Sequence, residues 1–206
     1  MSRHLVRLAL IGAVVGSTAV VACSDSTGPG TGTLRVQLTD APFSSDSVSR
    51  VDVHVLRVDT KLVESDSAEA ARAATGDSSS RAGWTTVATP DRSIELLALR
   101  NGITTTLGLS TLPAGSYRSF RLVIDPSRSS VTLKNGAVLT STSTPNVSFP
   151  SAATSGIKIN LTRPVVIVAN DTTTAVVDFD VDQSFVMRSG PISSSGLTFR
   201  PVVRVK

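Results

Sequence analysis

The sequence predicts an all-β fold, an antiparallel β-sandwich that follows an N-terminal export segment. Three observations carry this expectation. Runs rich in Val, Ile, Leu and Thr alternate apolar with polar residues at period two, the pattern of strands with one buried face. Gly, Pro, Asn and Asp punctuate those runs at short intervals. Beyond the export segment, no window of helical length shows an apolar period of 3.6 with caps. Packing two sheets face to face buries many one-faced strands at once. A transmembrane barrel would instead need aromatic girdles at both membrane interfaces. Six Phe, one Tyr and one Trp scattered over 206 residues do not supply them.

The chain opens with Arg3 and Arg7, then runs apolar from Leu8 to about Val21, interrupted by Gly12, Gly16, Ser17 and Thr18. A membrane-spanning helix needs roughly 20 apolar residues, whereas the apolar part of a signal peptide needs only about 7–15. Val20-Val21-Ala22-Cys23 closes the run, and Cys23 is the sole cysteine. Ser24, Asp25, Ser26 and Thr27 turn the chain polar at once. This order is similar to the lipid-attachment signal of bacterial lipoproteins. Residues 1–22 are expected to be a signal peptide, and residues 23–32 an acylated Cys23 with a flexible tether. Two or more acyl chains on one cysteine anchor a protein stably. The expected location is the bacterial cell envelope, with Ser24 after the cysteine pointing to the outer membrane. The membrane is then a partner through the lipid.

Composition narrows the rest. Residues 1–22 carry two Arg and no acid, which leaves 18 basic and 16 acidic residues beyond them. Those basic residues are scattered singly, so no nucleic-acid partner is expected. Without further cysteines there is no disulfide framework, and the core must be aliphatic.

Residues 33–206 read as the sandwich. Leu34, Val36 and Leu38 form one face of the first strand, which Thr39-Asp40-Ala41-Pro42 ends. Residues 48–58 form the second, with Val51, Val53 and Val55 on one face and Asp52, His54 and Leu56 on the other. Residues 64–83 hold no large apolar side chain and are expected to be a solvated insertion. The strand pattern resumes at 84–87 and 94–99. Asn101-Gly102 is a hairpin signal leading into a strand at 103–109. Leu112-Pro113-Ala114-Gly115-Ser116-Tyr117 makes a corner into residues 120–124, where Phe120, Leu122 and Ile124 face inward and Arg121 and Val123 outward. Asn135-Gly136 joins 131–133 to 137–139. A Ser/Thr/Pro-rich loop spans 140–156, and strands follow at 157–161, 165–168, 174–181 and 197–205.

Several of these segments resemble, as a set, the bacterial lipoprotein family known as domain of unknown function 4382. They are Gly32-Thr33-Leu34-Arg35-Val36-Gln37-Leu38-Thr39-Asp40-Ala41-Pro42, Ile94-Glu95-Leu96-Leu97-Ala98-Leu99-Arg100-Asn101-Gly102, the Leu112-to-Tyr117 corner with the 121–125 strand, Gly156-Ile157-Lys158-Ile159-Asn160, Val177-Asp178-Phe179-Asp180-Val181-Asp182 and Phe199-Arg200-Pro201-Val202-Val203. The resemblance covers roughly residues 32–205, with 64–83 as a variable insertion. It implies a secreted, lipid-anchored β-sandwich and carries over no catalytic residue. The corner itself resembles those of transthyretin-like and immunoglobulin-like sandwiches, in which a Tyr hydroxyl pins a loop to the backbone.

Three clusters are candidate sites. Asp178, Asp180 and Asp182 fall on one face of the 174–181 strand pattern, about 7 Å apart from a rise of about 3.4 Å per residue. With Asp40 or Asp125 from loop ends they could hold a Ca²⁺ ion, or they could be a solvated edge paired with Arg or Lys. Gln183 and Ser189 stand where a calcium loop needs Gly and Glu. Trp84 is either a platform for a sugar ring or a core anchor between sheets. His54, the sole histidine beyond the signal segment, would have to serve any Ser-His-Asp hydrolase, with Asp52 or Asp59 as the acid. No Gly-x-Ser-x-Gly elbow accompanies it, and zinc ligands are lacking. The expected function is non-catalytic binding or scaffolding at the envelope, with an envelope protein or a glycan as partner. A carbohydrate- or peptidoglycan-binding module and a calcium-dependent adhesion or stability domain are the alternatives. Cys23→Ala is expected to abolish acylation and move the protein from the detergent phase to the aqueous phase. A variant that stays in the detergent phase would refute the lipid anchor.

Overall fold

The computed structural model describes residues 30–41, 47–63, 83–150 and 155–206. Residues 1–29, with the expected signal peptide, Cys23 and most of the expected tether, and residues 64–82 of the expected insertion lie outside the described residues. The strands are β1 (Thr31–Asp40), β2 (Val48–Leu62), β3 (Thr85–Ala88), β4 (Arg92–Glu95), β5 (Thr105–Pro113), β6 (Gly115–Ile124), β7 (Ser130–Leu133), β8 (Val138–Leu139), β9 (Val147–Ser148), β10 (Ile157–Ile167), β11 (Thr172–Phe179), β12 (Phe185–Met187), β13 (Leu197–Phe199) and β14 (Val203–Val205). Single helical turns, α1 (Val181–Ser184) and α2 (Ile192–Ser195), flank β12. Among the described residues no helix is long and apolar enough to cross a membrane.

The strands form an all-β sandwich. One sheet has the order β14-β11-β1-β5, and the larger one β10-β6-β2-β7-β8, with β3 and β4 also paired to β2. Leu34, Val36 and Leu38 of β1 and Ala175, Val177 and Phe179 of β11 are buried in one core with Val51, Val53 and Val55 of β2 and Phe120, Leu122 and Ile124 of β6. A small sheet, β12-β13-β9, extends this core. There Phe199 packs on Phe149, Phe179 and Phe185 at ring-centroid distances of 5.2, 5.9 and 5.0 Å.

The pairing is not purely antiparallel. β1 runs parallel to β11, and β13 parallel to β9. The Asn101-Gly102 turn forms, with φ of 62° and 82°, yet it closes no hairpin. β4 pairs with β2 and β5 with β1, so the chain crosses between sheets here. The segment expected to continue as a strand over 94–99 becomes a 3-10 turn, Leu96–Leu99. A strand would have turned alternate residues outward, whereas the turn buries Leu96, Leu97 and Leu99 together. Glu95 caps it by accepting the Leu97 N–H at 2.9 Å.

Other boundaries shift for local reasons. Residues 157–161 and 165–168 belong to a single strand, β10, with a bulge between Asn160 and Val165. The expected strand at 197–205 splits at Arg200-Pro201, since Pro201 has no N–H for a ladder. Its halves join different sheets as β13 and β14. The Ser/Thr/Pro-rich loop contributes β9. The Tyr117 corner forms as expected: the Tyr117 hydroxyl donates to the Pro113 carbonyl at 2.9 Å and pins the link from β5 to β6 across the two sheets.

Candidate functional site

The cluster that stands out lies where β1 and β11 end. In the parallel register Thr39 pairs with Asp178 and Asp40 with Phe179. Period two places Asp40 on the same face as Leu34, Val36 and Leu38, so the core face of β1 ends in a carboxylate. Asp40 is 3 % exposed and Asp178 9 %. Both line a cleft of about 460 Å³ with Thr39, Ala41, Asn101, Gly102, Thr104, Val176 and Lys206. The Asn101-Gly102 turn that failed to make a hairpin is thereby part of the cleft wall.

Each carboxylate has one partnered oxygen and one without a partner. Asp40 Oδ1 accepts the Val181 N–H at 3.2 Å. Asp178 Oδ2 lies 2.7 Å from Lys206 Nζ. Asp40 Oδ2 and Asp178 Oδ1 are buried side-chain atoms without a hydrogen-bond partner. Burial disfavours the charged form, so it pushes the Asp40 carboxyl up to about 7. The Val181 N–H opposes that shift, the Asp178 and Asp180 charges add to it, and Arg100 lowers it.

The expected three-aspartate face does not form. β11 stops at Phe179, and Asp180 caps α1. Its Oδ1 accepts the Gln183 N–H at 3.0 Å and its Oδ2 accepts from Gln183 Nε2 at 2.7 Å. Asp182 lies on the exposed side of α1. The strand pattern broke because a strand-ending Asp followed by a helical turn reads like a continuing strand. Asp125 is also committed elsewhere. It caps a 3-10 turn at Pro126–Arg128, taking the Ser127 N–H at 2.9 Å and the Arg128 guanidinium at 2.7 Å. Hydrogen bonds from Ser127 and Arg128 hold its carboxyl down to about 2. Of the proposed cation ligands, Asp40 and Asp178 line the same cleft, with their side chains on opposite faces of the sheet by the β1–β11 register. Among the described residues no group of three or more His, Cys, Asp and Glu could hold a metal ion.

Trp84 is half-buried on the outer face of the larger sheet. The Arg121 guanidinium stacks 4.7 Å from its ring centroid. Arg121, on the outward side of β6 as expected, is nonetheless 4 % exposed. It donates through Nε and Nη2 to Asp59 Oδ2 at 2.8 and 2.6 Å, while Arg57 and Thr86 also donate to Asp59. Gly156 closes in from the side, where a Cβ would sit 2.7 Å from Arg121 Cγ. A buried ion pair needs this saturation of its hydrogen bonds to be tolerated. Trp84 therefore covers an ion pair and does not sit between the sheets.

His54 meets a serine and an acid, though not the acids expected. Asp52 is held by Arg50 at 2.5 Å, and Asp59 by the arginines above. Antiparallel pairing sets His54 opposite Ser93, whose hydroxyl lies 3.0 Å from Nδ1. Nε2 lies 3.0 Å from Asp91 Oδ1. Arg128 donates to the same oxygen at 2.9 Å. These hydrogen bonds, from His54 first and Arg128 second, lower the Asp91 carboxyl below its usual range. Asp91 sits at φ 41°, a strained conformation that no sequence pattern announces. The trio is a Ser-His-Asp set by composition, but its acid is 62 % exposed and shared with an arginine. Among the described residues, the five cavities lined by Val48, Asp40, Leu107, Trp84 and Lys134 do not include any of the trio.

The raised Asp40 carboxyl makes stability depend on pH in a defined direction. An ordinary Asp has a value near 3.8. Between about pH 4 and pH 7 the folded state holds a proton that the unfolded state has lost, so stability falls as pH rises through that window. The unfolding free energy of the full chain from urea titrations is expected to drop across it by on the order of a few kcal/mol, and Asp40→Asn to flatten the drop. An unchanged slope in Asp40→Asn would show that Asp40 titrates normally.

Comparison with known proteins follows the same boundaries. A family described as Domain of unknown function (DUF4382) matches residues 31–201, from the start of β1 to the proline before β14. No curated protein and no solved structure matches. The match contains β1, β11, the Tyr117 corner and both cleft aspartates, and it spans most of the chain: the protein belongs to the DUF4382 family.

Proposed function

We propose that this chain is an exported, lipid-anchored domain of the bacterial cell envelope, held at the outer membrane by acyl chains on Cys23, and that it binds a ligand in the Asp40–Asp178 cleft without catalysis. The observation that carries the binding reading is a cleft of about 460 Å³ lined by Asp40 and Asp178, each of which also holds one buried oxygen without a hydrogen-bond partner. A buried acceptor left unpaired costs about 1–3 kcal/mol, more when charged. Local rules of polar satisfaction are broken chiefly at functional or strained sites.

The alternatives have less support. A glycan platform at Trp84 would need its ring free, and one face already carries Arg121. A calcium-dependent module built on Asp178, Asp180 and Asp182 would need them to converge, and Asp180 and Asp182 are spent on or around α1. Hydrolysis at Ser93 would need a substrate cavity beside His54. The experiment is labelling of the full chain with a fluorophosphonate, with the His54→Ala variant as control. Ser93 is expected to remain unlabelled. Labelling of Ser93 that His54→Ala removes would overturn the non-catalytic reading and make this trio the centre of the function.

A further inference from the structure

Resting on the lipid-anchor reading above, we infer that the end of the sandwich holding the Tyr117 corner is a membrane-docking surface, which seats on the anionic lipid surface that holds the Cys23 acyl chains. Three exposed valines form its contact patch. Val63 donates its N–H to the Ser116 carbonyl at 2.7 Å and so continues the β2–β6 ladder past Leu62 and Tyr117. Val166 pairs with Ser116 from the other side. Cross-strand partners share a face of the sheet, and Val168 returns to that face two residues on. Val63, Val166 and Val168 are 47 %, 51 % and 52 % exposed. The remaining exposed large apolar side chains among the described residues are spread over β5, β8, β12 and the link from Leu99 to β5. Neighbouring exposed apolar groups of this kind mark a contact surface.

The chain that carries the anchor enters at this same end. Gly30 accepts the Ala114 N–H at 2.7 Å, just before β6, and Thr31 accepts the Asn170 N–H at 2.9 Å, two residues past Val168. Seven residues take the chain from Cys23 to Gly30, a reach of at most about 25 Å. The ten residues of β1 then carry it about 30 Å away, to Asp40. The corner end is therefore the part of the domain that stays within reach of the bilayer. Attachment makes its contact with the lipid intramolecular, so a patch too small to hold a free protein suffices.

The charges at this end suit phosphate headgroups. Arg118 is the extra residue where the β2–β6 register shifts beside Tyr117, and Arg163 lies in the β10 bulge between Asn160 and Val165. Both are exposed. Lys61 precedes Leu62 on β2, and among the described residues the exposed acid at this end is Asp171, at the turn into β11. Basic residues at a membrane surface add affinity for anionic lipids. Docked in this way, the sandwich stands on its corner, and the Asp40–Asp178 cleft, at the far end of β1, lies away from the bilayer.

The test places a nitroxide on the acylated protein in vesicles of phosphatidylethanolamine and phosphatidylglycerol. Cys23 is the sole native cysteine and acylation blocks it, so the label goes to an introduced one. Val168→Cys reports on the patch. Val138→Cys is the control, exposed on β8, which reaches β2 through β7 near Val48, at the opposite end. The Val168 label is expected to be several-fold better shielded than the Val138 label from a water-soluble nickel complex, and open to oxygen. Adding Val63→Asp with Val166→Asp, or Arg118→Glu with Arg163→Glu, is expected to return it to aqueous values; all four positions are at the surface. Equal aqueous accessibility at both labels in vesicle-bound protein would overturn the docking surface and leave the lipid anchor standing. Shielding that survives either pair of substitutions would overturn it too, because nearness to the anchor would then account for the shielding. Protein that fails to partition with the vesicles would overturn the anchor and the inference together.

Discussion

The candidate site depends on the parallel pairing of β1 with β11. Its register runs without a break from Thr33 and Thr172 to Asp40 and Phe179. A slip by one residue would turn Leu34, Val36 and Leu38 away from the core while their partners stayed in it, so the apolar pattern fixes the register. Fixed in this way, β1 extends one inward position past its last apolar residue. That position is Asp40. On the neighbouring strand Asp180 ends the ladder by capping α1, which turns the chain away and presents the Val181 N–H to Asp40.

The consequence is an energetic conflict at one end of a well-packed domain. Net stabilities of such domains are about 5–15 kcal/mol, so a buried acid with an unserved oxygen is a sizeable burden. The contrast with Asp59 is informative. Asp59 is equally buried, but Arg57, Arg121 and Thr86 saturate it. The same fold therefore shows how it satisfies a structural carboxylate, and it has not done so at Asp40 and Asp178. Asp40 relieves the conflict by holding a proton near neutral pH.

Much of the fold was legible in the sequence because alternation and turn chemistry are local. Leu34, Val36 and Leu38 face the core as the pattern required, Asn135-Gly136 joins β7 to β8, and Tyr117 pins its corner. What failed was non-local. Asn101-Gly102 has the turn conformation its residues favour, yet which strands it joins depends on sheets formed by distant segments. The site was half legible. The sequence pattern marks Asp40 as a loop-end acid and Asp178 as one of three on a strand face, but their common cleft is made by a parallel pair separated by more than a hundred residues. Asp180 and Asp182 were misplaced because the strand alternation of 174–181 continues in sequence after the strand itself has stopped. Ser93 and Asp91 escaped notice because nothing in one sequence says that β4 lies beside His54.

The most direct measurement is a carboxyl ¹³C NMR titration of Asp40 in the full chain, with Asp40→Asn used to assign the resonance. A midpoint near 7 is the expected result, because burial disfavours the ionised form. A midpoint near the ordinary value of about 4 would contradict the account: Asp40 would then be charged and served by solvent, and the end of β1 would hold no energetic conflict.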